Sequence, residues 1–263
     1  MHKFLLPLFA LALLLVVSCK SQTTPQAVNP SSSSAAAAPA GDQADPSSPL
    51  GKARASFTGQ YLTGKHTVIL KTSKGDITLE LDADAAPKTV TNFILLAKAG
   101  YYDNLTFHRI IADFMIQGGD PGGDGTGGES IYGPTFSDEI NANSYGLDKL
   151  KVQDAAKSQN VPANIANLTV KDFYAQQGYH YNDQLHSISF SKGVIAMANR
   201  GPDTDGSQFF IVETDKSLGL DGKYTVFGKT TAGLDTIDTL AHVATDSSAK
   251  PTTPVTFTVQ VLN

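Results

Sequence analysis

The chain has 263 residues, a formal net charge of −5 at neutral pH and one cysteine. Its length suits one large domain or two small ones, and a lone Cys19 excludes an internal disulfide and a cysteine-built zinc site. The acidic balance, without a run of five basic residues, lacks the footprint of a protein that grips nucleic-acid phosphates.

The N-terminus reads as an export signal. Lys3 precedes an apolar run of 14 residues from Phe4 to Val17. That is short of the roughly 20 residues needed to span a bilayer but suits the apolar region of a signal peptide. The run ends in Val16-Val17-Ser18-Cys19, which resembles a bacterial lipobox, where the cysteine receives lipid and becomes the first mature residue. An ordinary signal with a chance cysteine is the alternative. The position of the sole cysteine favours a lipoprotein signal over 1–18, lipidation of Cys19 and a membrane-anchored protein facing the periplasm or cell exterior. Residues 19–56 follow as a linker. Ser, Ala and Pro fill 22 of the 37 positions in 20–56, and Val28 and Leu50 are the only large apolar side chains. Such a stretch buries too little surface to offset its ordering entropy. As a flexible coil it would reach about 35 Å. The folded domain is expected over 57–263.

That domain opens on a predicted hairpin, Thr67–Lys71 and Asp76–Leu81, around a turn at Ser73-Lys74-Gly75. Ile77, Leu79 and Leu81 alternate with polar neighbours, the signature of a half-buried strand. A helix follows, with Pro87 in its first turn, Val90, Phe93, Ile94 and Ala97 on one face, and Gly100 at its end. Phe107–Asp120 reads as two apolar strands joined at Ala112-Asp113. Ideal alternation puts Arg109 on the face of Phe107 and Ile111, an odd place for a guanidinium that is costly to desolvate and holds its proton. Phe114, Met115 and Gln117 follow at once, so the stretch looks like an apolar pocket with a cationic fork beside it. Farther on, Leu234, Ile237, Leu240 and Ala241 make a second helical stripe, and Val255, Phe257, Val259 and Val261 alternate in a last strand. Many strands with two isolated helices suggest a closed antiparallel barrel with a helix over each end.

Several motifs fail on context. Gly123 to Gly128 matches G-x-G-x-x-G, but Gly133-Pro134 follows too soon for a helix to present its N-terminus to a phosphate. Asp203 to Gly206 lacks the spacing and distal glutamate of a calcium loop. Ser207 is not in a nucleophile elbow. The six histidines show no metal spacing, and no cofactor or metal is called for.

Phe107–Ile111 (FHRII), Phe114–Asp120 (FMIQGGD), Gly125–Gly128 (GTGG), Met197–Asn199 (MAN), Gly206–Phe210 (GSQFF) and Leu220–Gly228 (LDGKYTVFG) occur in the order of the cyclophilin family of peptidyl-prolyl isomerases. The chain resembles that family from about Val68 to Val261, with one long interruption. The resemblance implies a closed eight-stranded antiparallel barrel capped by two helices, and proline-containing segments as partners. It makes Arg109 the catalytic donor and Phe114, Met115, Phe210 and Leu220 the lining of a proline pocket. Gln117 and the backbone around Ala198 and Asn199 would hold the peptide chain, with Gln208, Gly125, Thr126, His108 and Tyr224 at the rim. Departures are Leu218-Gly219 where the family often has tryptophan, Arg200 after Asn199, and Tyr224 in place of a histidine. None touches the proposed donor.

The chemistry suits such a site. The barrier to rotating a peptide bond, about 18–20 kcal/mol, comes from resonance. At X-Pro the two planar forms are nearly balanced, so only the rate needs help. In the twisted state the proline nitrogen regains its lone pair, and a donor aimed at it favours that state over either planar one. Arginine donates in a fixed fork and stays charged. A non-catalytic module gripping proline-containing segments is the alternative, but it has no need of that fork. The expected role is folding of exported proteins, as a monomer.

The interruption, Asn141 to Gln184, is too long for a structureless loop. Helices are predicted over Leu147–Ser158 and over Val170–Gln177, the second with Thr169 as N-cap and Gly178 just past its end. Tyr174, Tyr179 and Tyr181 are expected to pack it down, and surface decoration is the favoured role over a contact for clients.

Overall fold

A computed structural model describes residues 44–156, 160–216 and 219–263. The predicted signal peptide, Cys19 and the first part of the linker lie outside the described residues. The last part of the predicted linker is folded, so the ordered body starts before residue 57. Helix α1 (Pro49–Ser56) has Pro in its first turn and Ser48 as N-cap, whose side chain accepts from Gly51 N. It buries Gly51 and Ala53, small residues that composition alone assigns to a linker. Arg54 fastens it to the body through Glu129 Oε2 at 2.7 Å and Ser130 O.

The first hairpin is β1 (Lys65–Thr72) and β2 (Gly75–Asp82), in register from Lys65↔Asp82 to Thr72↔Gly75. Helix α2 (Pro87–Lys98) buries Val90, Phe93, Ile94 and Ala97 as predicted, and Gly100 ends it at φ +77°. Three short strands follow: β3 (Leu105–Thr106), β4 (Arg109–Ile111) and β5 (Met115–Gly118). Then come β6 (Val194–Met197), β7 (Phe209–Val212), β8 (Val226–Ala232), a further helix, and β9 (Thr256–Val261).

The sheet order is β3-β9-β1-β2-β8-β6-β7-β5-β4, and each named pairing is antiparallel. This differs from the eight-stranded closed barrel expected. The described residues form nine strands in a curled sheet, and its two edge strands do not ladder to each other. Those edges are consecutive in the chain, separated only by Phe107 and His108. Phe107 N bonds to Val255 O at 3.0 Å, and Ile110 N bonds to Ala249 O at 2.8 Å. That break overturns the expected alternation. Phe107 turns into the main core, away from the face that carries Ile111, because its backbone still belongs to the β9 side.

Period-two alternation sorts the central strands onto two faces. Ile116, Ile195, Met197, Phe209 and Ile211 join the main core with α2 and the later helix. Met115, Val194, Ala196, Phe210 and Val212 form a separate apolar patch on the other face.

The inserted segment makes its own small core from Ala142, Leu147, Val152 and Val170, with Tyr174 and Tyr181 packed on it. Its helices are shorter than predicted. A 3₁₀ turn (Ala142–Tyr145) ends at Gly146 in the left-handed region, and among the described residues of the predicted 147–158 helix Val152–Ala155 (α3) is helical. Ala163–Ala166 is α4, and Val170–Ala175 is α5, whose N-cap Thr169 accepts from Asp172 N as expected. Helix α6 (Leu234–Ala241) buries Ile237, Leu240 and Ala241 but leaves Leu234 exposed. No helix among the described residues is long and apolar enough to cross a membrane.

Candidate active site

The site is built on β4, β5 and β7 and roofed by two loops. Register places Arg109 opposite Gln117, and Gln117 opposite Phe210. Arg109 is exposed at the start of β4, and its Nη1 donates to Gln117 Oε1 at 3.3 Å. Gln117 Nε2 donates to Gln208 Oε1 at 2.9 Å. Gln208 Nε2 donates to Gly127 O at 2.8 Å and Gly125 O at 3.1 Å. The direction of this relay is dictated from its far end. Backbone carbonyls only accept, so they turn the Gln208 NH₂ outward, which turns its oxygen to Gln117 and leaves the Gln117 oxygen for Arg109. The guanidinium is thus held by one of its donors, with the others directed elsewhere.

The loop bearing those carbonyls is held from within by Asp120. That buried carboxylate accepts from Gly125 N at 2.7 Å, Gly122 N at 2.9 Å and Asp124 N at 3.1 Å. Arg200 clasps the same loop from outside, donating to Thr126 O and, at 3.2 Å, to Gly125 O. The loop is a run of turns, as the sequence predicts, and no helix starts in it. Beneath it, Gln117, Gly125, Ala198, Asn199, Arg200 and Gln208 help line a cavity of about 80 Å³.

The four predicted pocket residues meet on one apolar patch. Met115 and Phe210 are buried in it, and Phe114, Leu220 and Tyr224 pack on it. Tyr224 meets the Phe210 ring edge-on, with centroids 5.5 Å apart. Burial raises the Tyr224 phenol's pKa, against the pull of the nearby Arg109 charge. Phe190 stacks on Phe210 at 6.0 Å. Sequence reasoning missed Phe190 and Ile188, although their alternation with Ser187, Ser189 and Ser191 is a strand-like signal that could have found them.

His108 lies beside Arg109 but is buried, and neither ring nitrogen has a hydrogen-bond partner among the described residues. Burial holds its pKa below the ordinary histidine value, opposed mainly by the Asp120 charge. Its ring edge faces Gly125, whose φ of +82° suits glycine.

Asn199 is held by acceptors on two loops. Its Nδ2 donates to Lys223 O at 3.0 Å and to Asp138 Oδ1 at 3.1 Å. Ala198 N bonds to Gln208 O at 2.9 Å, which ties this loop to β7. Behind Asn199 lies an acidic pair that the sequence did not reveal. Burial pushes the Asp138 carboxyl up to about 6, against the hydrogen bond it accepts from Asp203 N. Asp205, fully buried and accepting from Thr225 Oγ1 at 2.9 Å, is held well above the carboxylate range by burial and by the Asp138 charge. Among the described residues, no three His, Cys, Asp or Glu side chains are grouped to hold a metal ion.

The arrangement combines an apolar seat, one oriented cation at its edge, and backbone and amide groups along one side. A model of the family described as cyclophilin type peptidyl-prolyl cis-trans isomerase/CLD matches residues 67–261. Among relatives, "Peptidyl-prolyl cis-trans isomerase-like 1" of Rhizopus delemar is 42% identical over 187 residues, covering 71% of this chain and 87% of the relative. "Peptidyl-prolyl cis-trans isomerase 9" of Schizosaccharomyces pombe is 41% identical over 196 residues, 74% of this chain but 25% of that longer protein. A cyclophilin type isomerase of Cryptosporidium parvum, solved in the presence of the dipeptide Ala-Pro, superposes with a TM-score of 0.55 at 33% identity. The match covers 75% of this chain and 99% of that one.

Proposed function

The chain belongs to the cyclophilin-type peptidyl-prolyl cis-trans isomerase family, and from that premise we propose how its own residues do the work. The patch of Phe114, Met115, Phe210 and Leu220 seats the proline ring, and Asn199 with the Ala198 backbone holds the peptide chain. Arg109 donates to the proline nitrogen as the bond twists and that nitrogen regains its lone pair. The reaction breaks no covalent bond, so it needs neither nucleophile nor general base.

The observation that carries this reading is the one-way relay from Gly125 O and Gly127 O through Gln208 and Gln117 to Arg109. A donor fixed before the substrate arrives needs no reorganisation as the transition state forms. A pure proline-binding module would gain little from that fixity. The test is isomerisation of a short Xaa-Pro peptide by the purified domain, read by coupling to a protease specific for one isomer. Rates above the uncatalysed seconds to minutes support the reading, and a folded domain that binds the peptide without turnover sinks it.

The setting of that activity is a further part of the proposal. The apolar run Phe4–Val17 and the placement of Cys19 support export and lipid attachment at Cys19, with proline-containing segments of exported proteins as clients. This part rests on the sequence alone.

A further inference from the structure

Both acceptors of the Asn199 amide are backed by the inserted segment 141–184. The first, Lys223 O, belongs to the loop 220–224, whose inner side carries Leu220 and Tyr224 into the apolar patch. The outer side of that loop lies against the insert. Tyr181 donates through its hydroxyl to Gly222 O at 3.0 Å. Gly222, at φ +85°, presses so close to the insert that a Cβ there would stand 2.5 Å from Leu147 Cδ1 and 3.4 Å from the Tyr174 ring. The Lys223 ammonium sits 4.5 Å over the same Tyr174 ring. The second acceptor, Asp138, exchanges backbone contacts with Asp203: Asp203 N donates to Asp138 Oδ2 at 2.8 Å, and Asp138 N donates to Asp203 Oδ1 at 3.1 Å. His180 of the insert stands against Asp203, Nδ1 to Oδ2, at 2.9 Å.

We propose that Tyr174 and Tyr181 of the insert are positioning residues for peptide binding. They hold Gly222 and Lys223 from outside, so that Lys223 O keeps Asn199 set for the peptide chain and Tyr224 keeps its edge on Phe210. The insert is then part of the site's second wall and not decoration. Arg109 lies across the patch on β4, tied to Gln117, and among the described residues the relay's hydrogen bonds involve no side chain of the insert. Loosening the wall therefore weakens binding of planar and twisted peptide alike, which raises KM and spares kcat. The inference rests on reading Asn199 and Tyr224 as peptide-binding residues.

The test is kcat and KM for a peptide with at least two residues on each side of the Xaa-Pro bond. Tyr181→Phe removes one hydroxyl and should raise KM about twofold to tenfold, the range of one hydrogen bond, with kcat held. The insert's two ends meet where Asn182 N bonds to Ile140 O at 2.8 Å, so a short Gly-containing turn can replace it. That variant should raise KM at least as far. Lys149→Ala changes an exposed side chain of the insert, away from Tyr174 and Tyr181, and should leave KM at the wild-type value. If the replacement does not fold, Tyr181→Phe decides alone. Unchanged KM in Tyr181→Phe overturns the inference, as does a fall in kcat without a rise in KM, or an equal rise in Lys149→Ala. A wild type without turnover would overturn the catalytic reading itself, and the inference with it.

Discussion

Asp205→Asn isolates the titration of one buried group. Asp205 is fully buried, accepts from Thr225 and has an Oδ1 with no hydrogen-bond partner among the described residues. Burial, and then the Asp138 charge, hold its pKa well above the ordinary carboxylate value of 3.8. The sign follows from linkage. A carboxyl that stays protonated when folded but ionises when unfolded must bind a proton to fold. Its contribution is fully favourable below the unfolded pKa and is lost as pH rises toward the folded one. Above pH 4 the wild type should therefore lose stability relative to Asp205→Asn by about 1.4 kcal/mol per pH unit. Asparagine keeps the shape and the Thr225 contact but carries no proton to lose. Asp138, pushed up to about 6, is still protonated at pH 4 and 5, so the difference over that interval reads Asp205 before the Asp138 charge bears on it. Urea unfolding of the two proteins at pH 4, 5, 6 and 7 measures that difference. A gap that does not widen with pH would mean Asp205 is ionised in the fold, and the account of the acidic pair would be wrong.

Three other outcomes follow from the same geometry. Gln208→Leu removes the donor to Gly125 O and Gly127 O and unanchors the relay, so isomerisation should slow more than peptide affinity falls, read by parallel kinetics and titration. Phe114→Ala trims the half-buried edge of the apolar patch and should weaken peptide binding and turnover together, by less than the about 1.5–3 kcal/mol of a fully buried side chain, in calorimetric titration beside the rate assay. Cys19→Ala should leave the protein without lipid and change its processing and membrane fractionation, while the purified domain turns over peptide normally.

Strand alternation, caps and turn glycines made most of the body readable. Pro87 and Gly100 bracket α2, Thr169 caps α5, and the Phe107–Asp120 stretch holds two paired strands, β4 and β5, as the residues suggested. Where the reading fell short, the cause was long-range packing. Helix α1 hid in a Pro/Ser/Ala stretch because it buries only Gly51 and Ala53 and is fastened by Arg54 to residues some 75 positions away. Phe107 left the expected face because the chain passes there from one sheet edge to the other. Asp120, Asp138 and Asp205 carry no local pattern that marks a buried carboxyl. The hold of Tyr174 and Tyr181 on Gly222 joins segments 41 or more residues apart, and only the fold brings them together.

The measurement that bears most directly on the catalytic account is exchange NMR of cis and trans peptide beside peptide titration, for wild type, Arg109→Ala and Arg109→Lys. In the proposed mechanism Arg109 acts on the twisted state, so Arg109→Ala should cut exchange by about 10²–10³-fold, the scale for losing one preorganised donor, while affinity changes little. Arg109→Lys should recover little of it, since a flexible point charge does not replace a planar fork. Near-normal exchange by a folded Arg109→Ala, or a loss matched wholly by lost affinity, would make Arg109 an anchor for the planar substrate and contradict the account.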